Sequence, residues 1–299
     1  MRPLFAALPG NDAMAAKLCE AAGGDLCAIE ARAFPDGETY LRLAGEIEGR
    51  SLALVCTLAR PNDKILPLLF AADAARDLGA RRIGLVAPYL AYMRQDRRFR
   101  PGEAVTSRPF ATLVSGAFDW LVAVDPHLHR YSSLGDIYDI PARALHAGAL
   151  LARWIAANVD DPFIVGPDEE SAQWVAEVAQ DSGCAFAVLR KQRLGDREVT
   201  IAARDLERIG DKTPVLIDDI VSSGETMIAA IAAVARASSR APVCLAVHGI
   251  FADEAVARIE ATGARVVSTN TAPNARGAID VAPLLAPAII DLAGREPGP

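Results

Sequence analysis

Short apolar runs alternate along the chain with longer amphipathic or alanine-rich segments. SLALVCT (51–57), RIGLVAP (82–88), WLVAVD (120–125), FIVGPD (163–168), CAFAVLR (184–190), PVLIDD (214–219), PVCLAVHG (242–249) and ARVVSTN (264–270) have the length and composition of strands. Segments near 62–79, 106–118, 147–158, 169–182, 225–238 and 253–262 read as helices between them. Strands separated in this way predict parallel βαβ units, whose ligands sit beyond the carboxyl ends of the strands. The opening MRPLFAALPGNDAM reads as a first strand and turn, because no sustained apolar stretch follows its single Arg.

The informative polar residues stand at those strand ends. PYLAYMRQDRRF follows one strand, DPHLHR another, GPDEES a third and DDIVSSGET a fourth. The pattern runs once before about residue 145 and once after it, without a residue-level repeat, which predicts a pair of similar domains.

Composition narrows the class. With 299 residues, 52% hydrophobic and 23% charged, the chain can hold one large or two medium cores. No apolar run reaches the roughly 18 residues that cross a bilayer, so no membrane role is expected. The formal net charge of −7 argues against general nucleic-acid binding, while a locally basic cleft could still take small anions. Five cysteines (19, 27, 56, 184, 244) lack paired spacing and are expected to be reduced, mostly buried thiols of a cytoplasmic protein.

The strongest motif is VLIDDIVSSGETMIAAIAAVA (215–235): an apolar strand ending in two carboxylates, a short Ser/Gly loop, then an alanine-rich helix. Loop amides and a helix N-terminus make an anion site, to which Ser222, Ser223 and Thr226 add hydroxyl donors around Gly224. Adjacent Asp218 and Asp219 suit the vicinal hydroxyls of a ribose. A loop that grips a terminal phosphate beside such acids reads a ribose 5-phosphate. The plain structural alternative is a serine-capped helix with Glu225 in its first turn.

This segment is similar to the phosphoribosyl pyrophosphate loop of the type I phosphoribosyltransferase fold, although that pattern often has Gly where Glu225 stands. Nearly all of the chain resembles the ribose-phosphate pyrophosphokinases, with wording closest to their archaeal-type branch. The resemblance implies an α/β protein of two similar type I phosphoribosyltransferase-like domains, each a mainly parallel sheet flanked by helices, at 1–145 and 146–299. FPDGE (34–38) then resembles an adenine-holding loop through Phe34, Asp36 and Glu38. PYLAYMRQDRRFRPGE (88–103) resembles an ATP-binding stretch centred on Arg94, Gln95 and Asp96. DPHLH (125–129) and GPDEESAQW (166–174) resemble metal and triphosphate segments and imply His127 and Asp168 as ligands of Mg²⁺. KQR (191–193) matches the Lys-x-Arg of a mobile catalytic loop, which makes Lys191 and Arg193 the catalytic cations. HGIF (248–251) and TNT (269–271) resemble further signatures.

Taken singly, each piece has an ordinary reading: RQDRRFR a solvated basic face, His127 a satisfied structural histidine, Asp168 a helix cap, the KQR loop a hairpin tip, FPDGE a β-turn. Alternate residues at a strand end share a face, so Asp125, His127 and His129 could converge on one ion. The implied reaction is transfer of the diphosphoryl group of ATP to the 1-hydroxyl of ribose 5-phosphate, by a homodimer or larger homo-oligomer whose neighbouring subunit lends the adenine loop. A phosphoribosyltransferase would share DDIVSSGET without needing RQDRRF or FPDGE, and a non-catalytic regulatory paralogue would be expected to have a damaged catalytic loop. There is no P-loop sequence and no G-x-G-x-x-G after a strand.

Overall fold

The computed structural model describes residues 2–169, 171–189, 192–194, 198–200 and 206–296. The chain divides into two compact units, one running to Leu145 and resuming at Val281, the other His146–Asp280.

In the first unit the chain forms β1 (Leu4–Ala7), α1 (Asp12–Ala22), β2 (Asp25–Ala33), β3 (Thr39–Ala44), β4 (Ser51–Val55), α2 (Asn62–Asp77), β5 (Arg82–Ala87), α3 (Ser107–Ala117), β6 (Trp120–Val124) and β7 (Ala142–Leu145). Sheet order is β3-β2-β1-β4-β5-β6-β7, parallel except for the β2–β3 hairpin. Every residue of β4, β5 and β6 is buried, as expected of parallel strands covered on both faces. Gly84 on β5 has a packing reason: a Cβ there would lie 1.9 Å from the Trp120 ring of β6.

The second unit contains α4 (Gly148–Asn158), β8 (Pro162–Gly166), α5 (Ala172–Ser182), β9 (Ala185–Val188), the small antiparallel pair β10 (Gln192–Leu194) and β11 (Glu198–Thr200), β12 (Thr213–Val221), α6 (Glu225–Val234), β13 (Val243–Gly249), α7 (Ala255–Glu260), β14 (Arg265–Thr269) and β15 (Gly277–Ile279). Its main sheet, β15-β14-β13-β12-β8-β9, is parallel throughout. The two sheets share a plan. In each, the first strand is internal, the second lies outside it, and later strands extend the other side in chain order. In the first unit the second strand pairs back with β3 before the run resumes at β4, whereas in the second a separate antiparallel pair, β10–β11, lies in the chain between β9 and β12.

The eight strands expected from apolar runs are present. Those missed, β2, β3, β7, β10, β11 and β15, are short or half-exposed and lack a solid apolar run. Two helices were also missed, α1 and the final α8 (Ala282–Gly294). The segment from 281, expected in the second domain, folds with the first unit, where α8 packs on α1 and on β4–β7. Pro287 inside α8 removes a helical hydrogen bond at a cost of about 3 kcal/mol. Leu285, Ile289 and Leu292 are fully buried on one face, at roughly 1.5–3 kcal/mol each, and that burial outweighs the proline.

Candidate active site

Within the second unit, β12 runs past its pairing with β8, which stops at Leu216↔Val165. Asp218 and Asp219 therefore stand on a strand whose β8 side is already open. Asp168 follows the end of β8 and is close enough for its charge to act on Asp218. Burial, then the charges of Asp219 and Asp168, push the Asp218 carboxyl up to about 8. The backbone N–H of Asp219 donates to Asp218 Oδ1 at 3.0 Å, and that of Ile220 to Asp219 Oδ1 at 2.7 Å. Asp168 Oδ1 accepts from the backbone N–H of Ser171 at 3.1 Å. The cap of α5 is Ser171, so Asp168 shapes the turn before the helix.

Behind the acids, the loop turns into α6 at Gly224, the N-cap residue, whose φ is 77°. A Cβ there would meet Ile259 Cδ1 at 3.0 Å, so a side chain is refused both by backbone geometry and by α7. No side chain caps α6. Ser222 and Ser223 thus do not play the capping part that the plain reading gave them, and the helix N-terminus stays open to an anion. Ser223 and Thr226 are exposed, and Ser222 is half-buried.

The ends of β13 and β14 brace this loop. Val221 pairs with Gly249, and the N–H of Ala252 donates to Ser222 O at 3.0 Å. His248, fully buried, shares a 2.9 Å hydrogen bond with Thr271 Oγ1. Thr269 and Thr271 hydroxyls both donate to Val247 O, at 2.6 and 3.0 Å. Asn274 Nδ2 donates to Gly249 O at 3.1 Å. HGIF and TNT are thus partners in one buried polar net.

Lys191 lies outside the described residues. Arg193 is on β10, opposite Val199 of β11.

Within the first unit, FPDGE is the tip of the β2–β3 hairpin. Phe34 N–H donates to Glu38 O at 2.7 Å, and Asp36 Oδ1 accepts from Glu38 N–H at 3.1 Å, so the β-turn reading holds for the backbone. Phe34 is 39% exposed, with the Arg32 guanidinium 4.9 Å from its ring centroid. RQD occupies an irregular stretch between β5 and α3. Arg94 is exposed, without an ion pair among the described residues, and Gln95 is half-buried. Asp96 is 7% exposed and takes Arg130 Nε at 3.2 Å, tying this stretch to DPHLHR. Tyr92, at φ 59°, hydrogen-bonds Asn62 and packs on the Phe110 ring.

The His127 and His129 rings touch, 3.8 Å between centroids. Strand alternation does not bring them together: β6 ends at Val124 and Asp125 turns the backbone at φ 34°. Among the described residues no group of three or more His, Cys, Asp or Glu side chains is arranged to hold a metal ion, so Asp125, His127 and His129 do not form the ion site their spacing allowed.

Residues 4–117 match the model for the N-terminal domain of ribose phosphate pyrophosphokinase, and residues 133–278 match the phosphoribosyl transferase domain. A ribose-phosphate pyrophosphokinase of Methanopyrus kandleri is 34% identical over 93% of this chain and 95% of its own length. The chain belongs to the ribose-phosphate pyrophosphokinase family. Another member, from Methanothermobacter thermautotrophicus, is 33% identical over 93% of this chain and 96% of its own. The crystal structure of phosphoribosylpyrophosphate synthetase from Mycobacterium smegmatis superposes with a TM-score of 0.82 at 26% identity, covering 97% of this chain and 98% of the other. As a ribose-phosphate pyrophosphokinase family member the chain has the expected pair of similar α/β units. Reading the sequence missed two residues that fix the site loops, Arg130 beneath Asp96 and Arg258 beside Glu225. Each is a lone Arg whose partner is distant in sequence, and spacing gave no signal for either.

Proposed function

We propose that this protein transfers the diphosphoryl group of ATP to the 1-hydroxyl of ribose 5-phosphate, giving phosphoribosyl pyrophosphate and AMP. The observation that carries this reading is the Asp218–Asp219 shelf above the uncapped N-terminus of α6, in a family member that also matches the pyrophosphokinase N-terminal domain. That N-terminal match over residues 4–117 is what a phosphoribosyltransferase would not need.

In this reading Asp218 and Asp219 orient the ribose through its 2- and 3-hydroxyls. The 5-phosphate takes the free amides of the 222–226 loop and the hydroxyls of Ser222, Ser223 and Thr226, with Gly224 giving the close backbone approach. Phe34 offers a face to adenine, Asp36 and Glu38 accept from its amino group, and Arg94 and Gln95 meet the triphosphate. Asp96 acts through Arg130, which it holds at 3.2 Å. The 1-oxygen bonds to the β-phosphorus as the bond from that phosphorus to the α–β bridging oxygen breaks. The hydroxyl proton is released, and AMP leaves with the bridging oxygen. Catalysis is alignment plus charge stabilisation on the phosphoryl oxygens, with Lys191 and Arg193 as its cations.

The residues fit a role for Mg²⁺. Carboxylate oxygens are the hard donors this ion takes, and the crowding that raises Asp218 is what a nearby cation relieves. Asp168 in the second unit and His127 in the first are each proposed as Mg²⁺ ligands. When bound, Mg²⁺ neutralises charge on the transferring phosphates. We place the protein in the cytoplasm, a setting that suits its five free thiols, and as a homodimer or larger homo-oligomer. No helix among the described residues is long and apolar enough to cross a membrane.

The direct test is phosphorus NMR of the full-length protein with ribose 5-phosphate, ATP and Mg²⁺. AMP should appear together with a sugar carrying a 1-diphosphate. Formation of ADP, or no new sugar phosphate, would reject the assignment.

A further inference from the structure

The loop read here as the 5-phosphate site carries an acid, Glu225, at the first position of α6, where a second anion is to bind. A carboxylate there suits the helix dipole but competes with a phosphate for the same field. The structure gives this acid a partner from another element. Arg258 Nη2 on α7 donates to Glu225 Oε1 at 2.7 Å, with the two side chains 47% and 67% exposed.

The partnership is built into the packing. Ile259, the next residue, is fully buried and lies against Gly224, the residue before Glu225. Ala252 N–H fastens the start of the same segment to Ser222 O at 3.0 Å. The following residue, Glu260, is occupied by Arg276 at 2.7 Å, so it does not draw Arg258 away. From Asp218 through Ile228 the sequence contains no Lys or Arg. Arg258 of α7 brings a basic side chain to Glu225 from outside the loop.

We propose that Arg258 is the charge-compensating residue of the ribose 5-phosphate site: it neutralises Glu225 so that an acidic residue can stand in a phosphate loop without repelling the phosphate. This rests on the functional reading above. The pair adds little to folding, as is usual for exposed ion pairs. Its effect falls on ligand affinity, through one uncompensated charge within a few ångströms of a dianion. Arg258 is a positioning and compensating group and does not touch the reacting atoms.

The test measures ribose 5-phosphate dissociation by calorimetry on the full-length protein without ATP, and KM and kcat for both substrates. At an ionic strength of about 0.01 M, Arg258→Met should weaken ribose 5-phosphate binding by about tenfold, with kcat and the KM for ATP little moved. Near 1 M salt most of that loss should disappear, because the repulsion is screened. Arg258→Lys should keep most of the affinity. Glu225→Gln should bind at least as tightly as the wild type, and the double variant Glu225→Gln/Arg258→Met should return to within about twofold of it. If Arg258→Met has no effect, the proposal is wrong. It is also wrong if the double variant stays as weak as Arg258→Met, since Arg258 would then contact the phosphate itself or merely support the loop. A wild-type protein that binds no ribose 5-phosphate would instead bring down the functional reading, and this inference with it.

Discussion

The Asp218 carboxyl is crowded in the folded second unit. Its ordinary value is 3.8, and in the fold burial and two neighbouring carboxylates raise it to about 8. Between those values the folded chain keeps a proton that the unfolded chain has given up. Stability therefore falls as pH rises through that window, and the cost is fully expressed above about pH 8. Metal-free wild type should lose melting temperature between about pH 5 and pH 8.5. Asp218→Asn should flatten that slope and stabilise the alkaline end by on the order of a few kcal/mol. Parallel pH profiles for the two proteins would show that Asp218 is not the group responsible. Lys191 makes a different kind of prediction. A cation that closes on the transferring phosphoryl group acts mainly in the transition state, so Lys191→Ala should lower kcat by roughly two orders of magnitude or more and leave ATP binding nearly intact. An unchanged kcat would remove that loop from the mechanism.

At the scale of elements, α8 shows how a distant segment completes a unit. Its last carbonyls would be orphaned at the helix end. They are taken instead by side chains of β4, β5 and the turn before β5. Ser51 Oγ donates to Ala293 O at 2.7 Å, Arg81 Nη2 to the same oxygen at 3.1 Å, and Arg82 Nη1 to Leu292 O at 2.9 Å. Arg82 also donates to Asp119 O at 3.2 Å and is 5% exposed. Arg82→Met should leave the Leu292 and Asp119 carbonyls short of a donor and cost about 2–4 kcal/mol, read as a lower denaturation midpoint. Ending the chain at 280 should be worse, because it also uncovers α1 and β4–β7. If Arg82→Met unfolds with the wild-type midpoint, the capping by β5 contributes nothing.

At the scale of the molecule, the question is whether one chain suffices. FPDGE is the tip of an exposed hairpin, well suited to reach another copy. If the adenine loop of one subunit serves the catalytic loop of its neighbour, a protein carrying Phe34→Ala and Glu38→Ala should be inactive, as should one carrying Lys191→Ala. Denatured together and refolded, they should regain about a quarter of wild-type activity in a two-site dimer, since half of the dimers are mixed and each mixed dimer keeps one intact site. Mixed dimers identified by tags of different mass, with activity still at the level of the parents, would show that FPDGE serves its own subunit or only makes a turn.

The sequence by itself determined the parallel βαβ plan, because apolar strand runs and helical spacing are local patterns that burial on both faces imposes. It also determined the strand-end position of Asp168 and of Asp218–Gly224, since a strand's end and a loop's glycine can be read from neighbouring residues. The strands β2 and β3 and the helices α1 and α8 were not legible. β2 and β3 are half-exposed, and α8 carries an interior Pro287 that local propensity penalises and that only packing on a remote sheet outweighs. The ion pairs Asp96–Arg130 and Glu225–Arg258 join residues 34 and 33 positions apart, and the His248–Thr271 bond spans 23. Only the tertiary structure decided these, because hydrogen bonds and charges act through space, and two residues so far apart meet only once the sheets are folded.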